Sequence, residues 1–249
     1  MLDELSVVIP IYDEAANIAS LLGEIEACLD GRVRYELIVV DDGSTDDTLE
    51  RLRDVRRERQ LPLRILRHAW NAGQSAALRN GIAAARCDWI VTLDGDGQND
   101  PADIPNLLAA AAASSKRLDL VCGYRFSRRD PGIKRLSSWL ANTVRARLLE
   151  DGISDAGCGL KLLRRQAFLS LPAFNHMHRF LPALIQREGG EVMSVAVNHR
   201  PRLRGQSKYG IHNRLWVGIV DLLGVLWLKR RAINPSYEEV TFQLHKFWG

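Results

Sequence analysis

Residues 90–98 read IVTLDGDGQ, an apolar run that ends in two carboxylates separated by one glycine. In extended backbone the side chains alternate between two faces, so Asp94 and Asp96 are expected to point the same way. If the chain stays extended, Gln98 follows on that side. Magnesium typically takes one or two carboxylates together with substrate phosphates. This segment therefore predicts a divalent-cation site at the end of a strand, although Asp and Gly are also common in ordinary polar turns.

The residues before this segment alternate apolar, β-branched runs with helical patterns. Such runs predict buried strands at residues 5–11, 36–40, 63–67 and 87–93. Strands that alternate with helices form right-handed βαβ units, so we predict an α/β fold with a mostly parallel, Rossmann-like sheet flanked by helices. Ligands of such sheets bind at the carboxyl ends of the strands. The loops at 10–14, 41–44 and 94–98 should therefore converge on one edge.

The second half of the chain is less regular and more basic. Strands are predicted at 118–122 and 191–198, a helix at 136–149 and a glycine-rich turn at 155–159. The net charge is only +4, but acids gather early while Arg and Lys gather between residues 125 and 231. That asymmetry suggests a cation site on one side and anionic groups bound by the later half. No nucleic-acid-binding motif is present, so nucleic acid is not an expected partner.

Composition and segment lengths also restrict the cellular setting. The 249 residues, 46% of them hydrophobic, suffice for one large α/β domain with a short appendage. Four widely spaced cysteines without a C-x-x-C pair indicate neither a zinc site nor a disulfide framework, which fits a reducing cytosol. The first residues lack a signal-peptide pattern. We therefore expect a cytoplasmic protein that is peripheral to the inner face of the membrane.

The membrane expectation depends on residues 215–228, LWVGIVDLLGVLWL. As a helix, 14 residues cover about 21 Å, less than the roughly 30 Å of a bilayer core. Asp221 in the middle also argues against spanning. Trp216 and Trp227 near the ends and the basic residues that follow are typical of an amphipathic helix at an anionic membrane surface. A core or dimer-interface helix is the alternative.

The order of motifs resembles a known enzyme family. Residues 8–14 (VIPIYDE), 40–44 (VDDGS) and 94–98 (DGDGQ) are similar to the nucleotide-sugar half of the family 2, GT-A fold glycosyltransferases. Later segments resemble the polyprenyl-phosphate sugar transferases of the dolichol-phosphate mannosyltransferase type: 123–125 (GYR), 155–161 (DAGCGLK), 178–180 (HRF) and 205–210 (GQSKYG). The resemblance covers roughly residues 5 to 230. It implies an inverting transferase that moves a sugar, with mannose as the best-known case, to dolichyl or undecaprenyl phosphate.

The resemblance assigns the donor residues by position. A GDP- or UDP-linked sugar would be held by Pro10, Tyr12, Glu14, Val40, Asp42, Asp94, Gly95 and Asp96. Mg²⁺ or Mn²⁺ would be held by Asp94, Asp96 and Gln98, where the metal offsets the charge that develops on the leaving nucleoside diphosphate. The family often has a lysine after the glycine of the loop that follows the third strand, whereas this chain has Gln74 after Gly73. That difference argues against a direct phosphate contact there.

The resemblance also assigns an acceptor side. A lipid phosphate is already ionised, so the protein must mainly offset the repulsion between two anions, for which the planar fork of Arg is well suited. The acceptor phosphate would be bound by Arg125, Arg135, Ser138, Arg202 and Lys208. Together with Asp96 and Asp155, Arg125 and Arg202 form the predicted catalytic set. Asp155 is a positioning residue if the acceptor is a phosphate, and a general base if it is a hydroxyl group.

The sequence leaves two alternatives to a polyprenyl-phosphate transferase. One is a family 2 enzyme with a saccharide or other hydroxyl acceptor, and the other is a non-catalytic, membrane-peripheral scaffold with the same fold. We expect residues 1–212 to form the catalytic domain, with a nucleotide-sugar half at 1–100 and an acceptor half at 101–212. Residues 213–231 would form the membrane-associated helix and 232–249 a tail with no assigned role.

Overall fold

Seven strands form a single sheet in the computed structural model, which describes residues 3–115, 117–126, 145–201 and 211–233, with the backbone alone described for 211–216. The strands lie in the order β3-β2-β1-β4-β6-β5-β7. Their bounds are Glu4–Ile11 (β1), Arg34–Asp41 (β2), Leu63–Arg67 (β3), Trp89–Thr92 (β4), Leu118–Arg125 (β5), Lys161–Arg164 (β6) and Glu191–Val197 (β7).

The sheet is parallel except at β6. This strand pairs antiparallel with both β4 and β5, while the other neighbouring strands pair in parallel. Lys161, the first residue of β6, lies opposite Thr92 at the end of β4 and opposite Cys122 in β5. Because β6 runs the opposite way, the turn before it lies at the same edge as the carboxyl ends of its neighbours.

Helices cover both faces of the sheet. Their bounds are Ile18–Leu29 (α1), Thr48–Arg59 (α2), Gln74–Ala84 (α3), Ile104–Ala113 (α4), Arg165–Leu169 (α5), Leu181–Arg187 (α6) and Ile211–Arg230 (α7), with 3-10 turns at Pro101–Asp103 and Met177–Arg179. Buried side chains of α1, α2 and α4 form one apolar cluster with the sheet, and those of α3, α5, α6 and α7 form a second. Along β1, Val7 and Ile9 belong to the first cluster and Val8 to the second, which is typical of a strand buried on both faces.

The predicted α/β fold with a mostly parallel, helix-flanked sheet is confirmed. Three elements were not predicted, namely β6, α5 and α6, because runs of four to seven residues carry too little periodicity to distinguish strand from helix. Of the helix expected at 136–149, only residues 145–149 are described, and these are helical.

Candidate active site

The carboxyl ends of β1, β2 and β4 meet at one edge of the sheet. β1 lies between the other two strands, with Pro10 opposite Val40 in β2 and Val8 opposite Thr92 in β4. The loops that follow these strands therefore lie side by side. This edge brings together the three donor-side motifs that the sequence singled out.

The loops after β1 and β2 are bound to each other through Asp13, which has a left-handed φ of 50°. Its Oδ1 accepts hydrogen bonds from the backbone N–H of Thr45 at 2.7 Å and from the Thr45 hydroxyl at 3.2 Å. Its own N–H donates to Ser44 Oγ at 2.9 Å, and the N–H of Glu14 donates to Thr48 Oγ1 at 2.8 Å. These hydrogen bonds fix the loops after β1 and β2 relative to each other.

The predicted nucleoside residues differ in what they can offer to a ligand. The Val40 side chain is fully buried in the second apolar cluster, and Pro10 is also buried. Tyr12 and Glu14 are half-buried, and Glu14 Oε2 accepts a hydrogen bond from Asn17 Nδ2 at 2.7 Å. Val40 and Pro10 thus support the strand ends, while Tyr12 and Glu14 lie in the loop above them.

Asp42 is buried, and its carboxylate binds the loop between β3 and α3. Oδ1 lies 2.6 Å from His68 Nδ1 and accepts from the N–H of Ala72 at 2.8 Å. Oδ2 accepts from the N–H of Gly73 at 2.8 Å, and His68 Nε2 lies 2.9 Å from Asn80 Nδ2. The family resemblance placed this carboxylate among the residues that would hold a GDP- or UDP-linked sugar. The structure gives it three partners within the chain, so it shapes the loop between β3 and α3.

The segment with Asp94 and Asp96 is not extended but forms a turn, the alternative that its Asp and Gly residues left open. β4 ends at Thr92, and Gly97 has a φ of 72°, which a side chain would strain. Asp96 Oδ1 accepts from the N–H of Gln98 at 3.1 Å, which closes the turn. The two acids are therefore brought together by a tight turn after the strand, where the alternation of a pleated strand no longer applies.

Asp94 lies in an environment that disfavours its charged form. Burial and the nearby charge of Asp96 raise the pKa of Asp94 to about 6, while Lys161 and Arg125 act in the opposite direction. Gln74 Nε2, at the start of α3, donates to Asp94 Oδ1 at 2.8 Å. The Asp94 N–H donates to Asn99 Oδ1 at 3.1 Å. A carboxylate held where its charge is poorly solvated is typical of a site that binds a cation or substrate.

The oxygen donors of Asp94, Asp96 and Gln98 suit a hard cation. Among the described residues, no group of three or more His, Cys, Asp or Glu side chains is arranged to hold a metal ion. Two carboxylates nevertheless match magnesium, which keeps water and substrate phosphate in its remaining positions. The residues at this turn therefore fit a cation that binds together with a diphosphate, and they do not form a closed all-protein cage.

Lys161 and Gly159 bring the turn before β6 against Asp94. Lys161 is buried, and its Nζ donates to the carbonyl of Cys158. A Cβ atom on Gly159 would lie 2.2 Å from Asp94 Oδ2, and Thr92 Oγ1 donates to the Gly159 carbonyl at 2.8 Å. Only a residue without a side chain allows the carboxylate to occupy this position.

A Gly159→Ala substitution is therefore expected to displace the Asp94 carboxylate and to lower Mn²⁺-dependent activity by at least about tenfold, since small misplacements of reacting groups have effects of this order. The matched control is Gly157→Ala, because a Cβ there meets nothing closer than 3.8 Å. Steady-state rates and thermal unfolding of both variants provide the test. Equal activity of the two variants would contradict the steric argument.

The half-buried Arg125 and the buried Asp155 form an ion pair with two hydrogen bonds. Arg125 Nε donates to Asp155 Oδ2 at 2.6 Å, and Nη2 donates to Oδ1 at 2.7 Å. The Arg125 N–H also donates to Oδ2 at 3.3 Å. Burial opposes the charged guanidinium, but the hydrogen bonds and charge of Asp155 raise the pKa of Arg125. The structure thus pairs a predicted phosphate ligand with a predicted positioning acid.

The other predicted acceptor residues, Arg135, Ser138, Arg202 and Lys208, lie outside the described residues, and so does the side chain of Trp216. Their roles remain predictions from the family resemblance.

His178 contacts Ser75 beside the site, a contact that the sequence did not predict. Ser75 Oγ, one residue after Gln74, lies 2.8 Å from His178 Nδ1. Burial, together with the charges of Lys161, Arg179 and His176, lowers the pKa of His178 to about 3, so the ring is neutral at physiological pH. The motif at 178–180 marked His178, but nothing in the sequence indicated a partner 103 residues earlier.

Helix α7 has an exposed apolar side. Val220, Leu223 and Trp227 are 64%, 60% and 61% exposed, and Ile219 is 40% exposed. Positions three and four residues apart lie on one face of a helix. Val225 on the other side is fully buried in the second apolar cluster. Over the described part of the chain, no helix combines the length and apolar character needed to cross a bilayer.

Polar contacts attach the inner side of α7 to the domain. Asp221 Oδ2 lies 3.0 Å from His176 Nδ1, beside the 3-10 turn that carries His178. Arg187 Nε in α6 donates to the carbonyl of Leu228 at 2.8 Å, and Lys229 Nζ donates to the carbonyl of Leu149. The helix is therefore docked along one side while its apolar outer side faces solvent.

Comparison with known proteins matches this arrangement to a sequence family. The profile described as Glycosyl transferase family 2 matches residues 6–171. The chain belongs to glycosyl transferase family 2. This confirms the resemblance found in the sequence and the assignment of the chain as a glycosyltransferase.

Two curated relatives of this chain are both named for a polyprenyl phosphate. The chain is 38% identical over 238 residues to the dodecaprenyl-phosphate galacturonate synthase of Rhizobium johnstonii, covering 94% of this chain and 70% of the relative. It is 34% identical over 207 residues to the undecaprenyl-phosphate 4-deoxy-4-formamido-L-arabinose transferase of Aeromonas hydrophila, covering 83% of this chain. The chain spans 63% of the length of that second relative. Neither name mentions mannose.

Solved structures of glucosyl-3-phosphoglycerate synthase share the fold. Glucosyl-3-phosphoglycerate synthase from Mycobacterium tuberculosis, crystallised with Mn²⁺, UDP-glucose and glycerol 3-phosphate, superimposes with a TM-score of 0.68. The alignment covers 99% of this chain and 87% of that chain at 20% sequence identity. At this identity the likeness extends to the fold alone.

Proposed function

We propose that the chain is an inverting, divalent-cation-dependent transferase that moves a sugar from a nucleoside diphosphate to a polyprenyl phosphate at a membrane surface. The observation that carries this proposal is the pairing, at one edge, of the Asp94–Asp96 turn with the Arg125–Asp155 ion pair. Arg125 is near enough to Asp94 for its charge to lower that carboxyl's pKa. The acids that would hold the cation are thus within electrostatic range of a guanidinium that Asp155 holds in place. The names of the two curated relatives, both polyprenyl-phosphate enzymes, support the choice of acceptor.

On the donor side, Tyr12 and Glu14 would contact the nucleoside, and Asp42 would fix the loop beside it. Pro10, Val40 and Gly95 would supply the strand ends and the close backbone approach. Asp94, Asp96 and Gln98 would hold Mg²⁺ or Mn²⁺. When bound, the cation would neutralise the negative charge that develops on the leaving nucleoside diphosphate.

On the acceptor side, Arg125 would bind the lipid phosphate. Two of its three guanidinium nitrogens, Nε and Nη2, donate to Asp155, so the Arg125 side chain cannot rotate freely. The orientation of its third nitrogen, Nη1, is therefore fixed. Asp155 would then act as a positioning residue, because an ionised phosphate needs no general base to attack the sugar. Arg135, Ser138, Arg202 and Lys208 would complete the phosphate site, and Arg202 would share the catalytic role.

The hydroxyl-acceptor alternative is less well supported. A general base must be able to accept the proton of the acceptor hydroxyl. Both oxygens of Asp155 already accept from Arg125, at 2.6 and 2.7 Å. If Asp155 accepted that proton, it would lose the negative charge that pairs with Arg125.

The test of the proposed function is transfer of a radiolabelled sugar to undecaprenyl or dodecaprenyl phosphate in the presence of Mn²⁺. The donors should include UDP-galacturonate, other UDP-sugars and GDP-mannose, since neither base nor sugar is assigned. We expect label in the organic-extractable product, and we expect EDTA to abolish it. Absence of lipid-linked label across this donor panel would contradict the proposal.

The exposed side of α7 supports peripheral contact with the membrane that holds the acceptor. Burying Val220, Leu223 and Trp227 in the interface would remove apolar surface from water, and exposed Arg230 and Arg231 would lie near anionic headgroups. In this arrangement residues 1–212 form the catalytic domain and 213–231 the membrane-associated helix.

We expect the double variant Val220→Asp, Leu223→Asp to weaken binding to phosphatidylglycerol vesicles at least tenfold, because burial of each such side chain is worth about 1.5 to 3 kcal/mol. Co-sedimentation with vesicles measures the effect. The double variant Ala112→Asp, Ala113→Asp is the matched control, since it adds the same two charges to exposed positions of α4 on the opposite face of the sheet. Unchanged vesicle binding by the double variant would contradict a role for this side of α7.

A further inference from the structure

A short segment at the start of α3 contacts three separate parts of the site. The N–H groups of Ala72 and Gly73 donate to Asp42, at 2.8 Å each. The next residue, Gln74, donates to Asp94 Oδ1 at 2.8 Å, and Ser75 contacts His178. Four consecutive residues therefore connect the nucleoside loop, the predicted cation site and the turn at Met177–Arg179.

Within this segment, Gln74 is the residue that contacts the predicted cation site. Its side-chain amide donates to Oδ1 of Asp94. The backbone at Gly159 lies against Oδ2, since a Cβ added to Gly159 would come within 2.2 Å of that oxygen. The Asp94 N–H is also bound, by Asn99. The backbone N–H of Asp94 and both of its carboxylate oxygens therefore have neighbours, and Gln74 supplies the side-chain donor.

The chemistry of Gln suits this task. An amide N–H donates a hydrogen bond to a carboxylate without adding a positive charge. Positive charge is already supplied near Asp94 by Lys161 and Arg125. A further cation bonded to Oδ1 would compete electrostatically with a divalent ion for the same carboxylate. The neutral donor therefore orients Asp94 and preserves its negative charge for a cation.

We propose that Gln74 is a positioning residue that orients the Asp94 carboxylate for binding of a divalent cation. This inference rests on the proposed function, since it assigns a role within the same cation site. Gln74 acts through Asp94 and is not itself a cation ligand. Its loss should therefore lower affinity for the cation while affinity for the nucleotide without metal stays unchanged.

The experiment measures Mn²⁺ binding directly, from the loss of the electron paramagnetic resonance signal of free Mn²⁺. Titrations use Mn²⁺ alone, Mn²⁺ with UDP and Mn²⁺ with GDP. The variants are Gln74→Met, which has similar length but no donor, and Gln74→Asn, which keeps the amide but is one methylene too short. Gln166→Leu is the control, because Gln166 is exposed in α5, away from the cation site.

We expect both Gln74 variants to bind Mn²⁺ about tenfold more weakly, as is usual when a residue that supports a metal ligand is lost. Metal-free nucleotide binding and the unfolding temperature should match those of the parent chain. Unchanged Mn²⁺ affinity in Gln74→Met, or parent-like affinity in Gln74→Asn, would overturn the inference. Equal weakening of metal-free and metal-dependent nucleotide binding would also overturn it, because a general structural defect would then explain the result.

This design separates the inference from the proposed function. If the parent chain binds no Mn²⁺ with either nucleotide, the cation-dependent function fails and the role of Gln74 fails with it. If the parent chain binds Mn²⁺ and Gln74→Met binds it equally well, the role of Gln74 alone is refuted.

Discussion

The Asp94→Asn variant is expected to lose about 10³-fold in kcat/KM, the magnitude typical of removing one well-placed electrostatic group from an active site. Asn keeps the size of Asp and can still accept the hydrogen bond from Gln74, but it lacks the charge that holds a divalent cation. Mn²⁺-dependent nucleotide binding should disappear together with transfer. Labelled-sugar transfer and calorimetric titration of UDP and GDP, with and without Mn²⁺, provide the measurements.

The same variant should be at least as stable as the parent chain in EDTA. The pKa of Asp94 is about 6 in the folded protein against an ordinary 3.8, so ionisation of this group disfavours the folded state. The difference corresponds to a penalty of about 3 kcal/mol that is present above pH 6 and disappears as the pH falls towards 3.8. Removing the charge removes the penalty, so the unfolding temperature at pH 7.5 should hold or rise.

Asp103→Asn is the contrasting control for this prediction. Asp103 is also buried, but its Oδ2 accepts from the N–H of Asn198 at 2.6 Å and its Oδ1 from Asn106 at 3.0 Å. Its loss should lower the unfolding temperature and leave transfer nearly intact. Transfer by Asp94→Asn at a rate near that of the parent chain would contradict the proposed cation site.

The sequence predicted those parts of the fold that depend on local pattern. The apolar runs marked six of the seven strands, and the third was placed at its observed bounds, Leu63–Arg67. β6 was missed because four residues, KLLR, carry no distinctive period. This omission left part of the site unpredicted, since β6 and the turn before it bring Lys161 and Gly159 against Asp94.

The candidate site was predicted as a set of motifs but not as a set of contacts. Asp94 and Asp96 were identified from their spacing, yet a tight turn brings them together and the expected pleat does not. Asp42 was predicted to bind the ligand because its actual partners, Ala72 and Gly73, lie 30 and 31 residues further along the chain and could not be foreseen. Gln74 was noted only as a departure from the family pattern. Contacts between distant loops depend on how the sheet aligns them, which no short window of sequence records.

The ion pair between Arg125 and Asp155 is expected to produce the second large effect. Arg125→Met should lower kcat/KM for the polyprenyl phosphate by about 10²- to 10³-fold, since truncating one member of a buried charge pair typically has an effect of 2 to 5 kcal/mol. The loss should appear mainly as a raised KM for the acceptor. The KM for the nucleotide sugar should change little.

Asp155→Asn distinguishes the two possible roles of this acid. As a positioning residue Asp155 acts only through Arg125, so its loss should matter less, by about 10- to 100-fold, on the scale of lost supporting contacts. The double variant Arg125→Met, Asp155→Asn should then be no worse than Arg125→Met alone. A general base acts on the acceptor independently of Arg125, and the two effects would then multiply.

The comparison of the two single variants with the double variant also decides the class of acceptor. Non-additive losses would support an acceptor that is already ionised, as a lipid phosphate is, because no proton then needs to be removed before attack. If the fold-losses in kcat/KM of the two single variants multiply in the double variant, and Asp155→Asn nearly abolishes transfer, a hydroxyl acceptor is indicated. In that case the proton taken up by Asp155 would neutralise the carboxylate that pairs with Arg125, at 2.6 and 2.7 Å. Arg125 would then be left to bind the donor diphosphate, which would shift its effect from the acceptor KM to that of the nucleotide sugar.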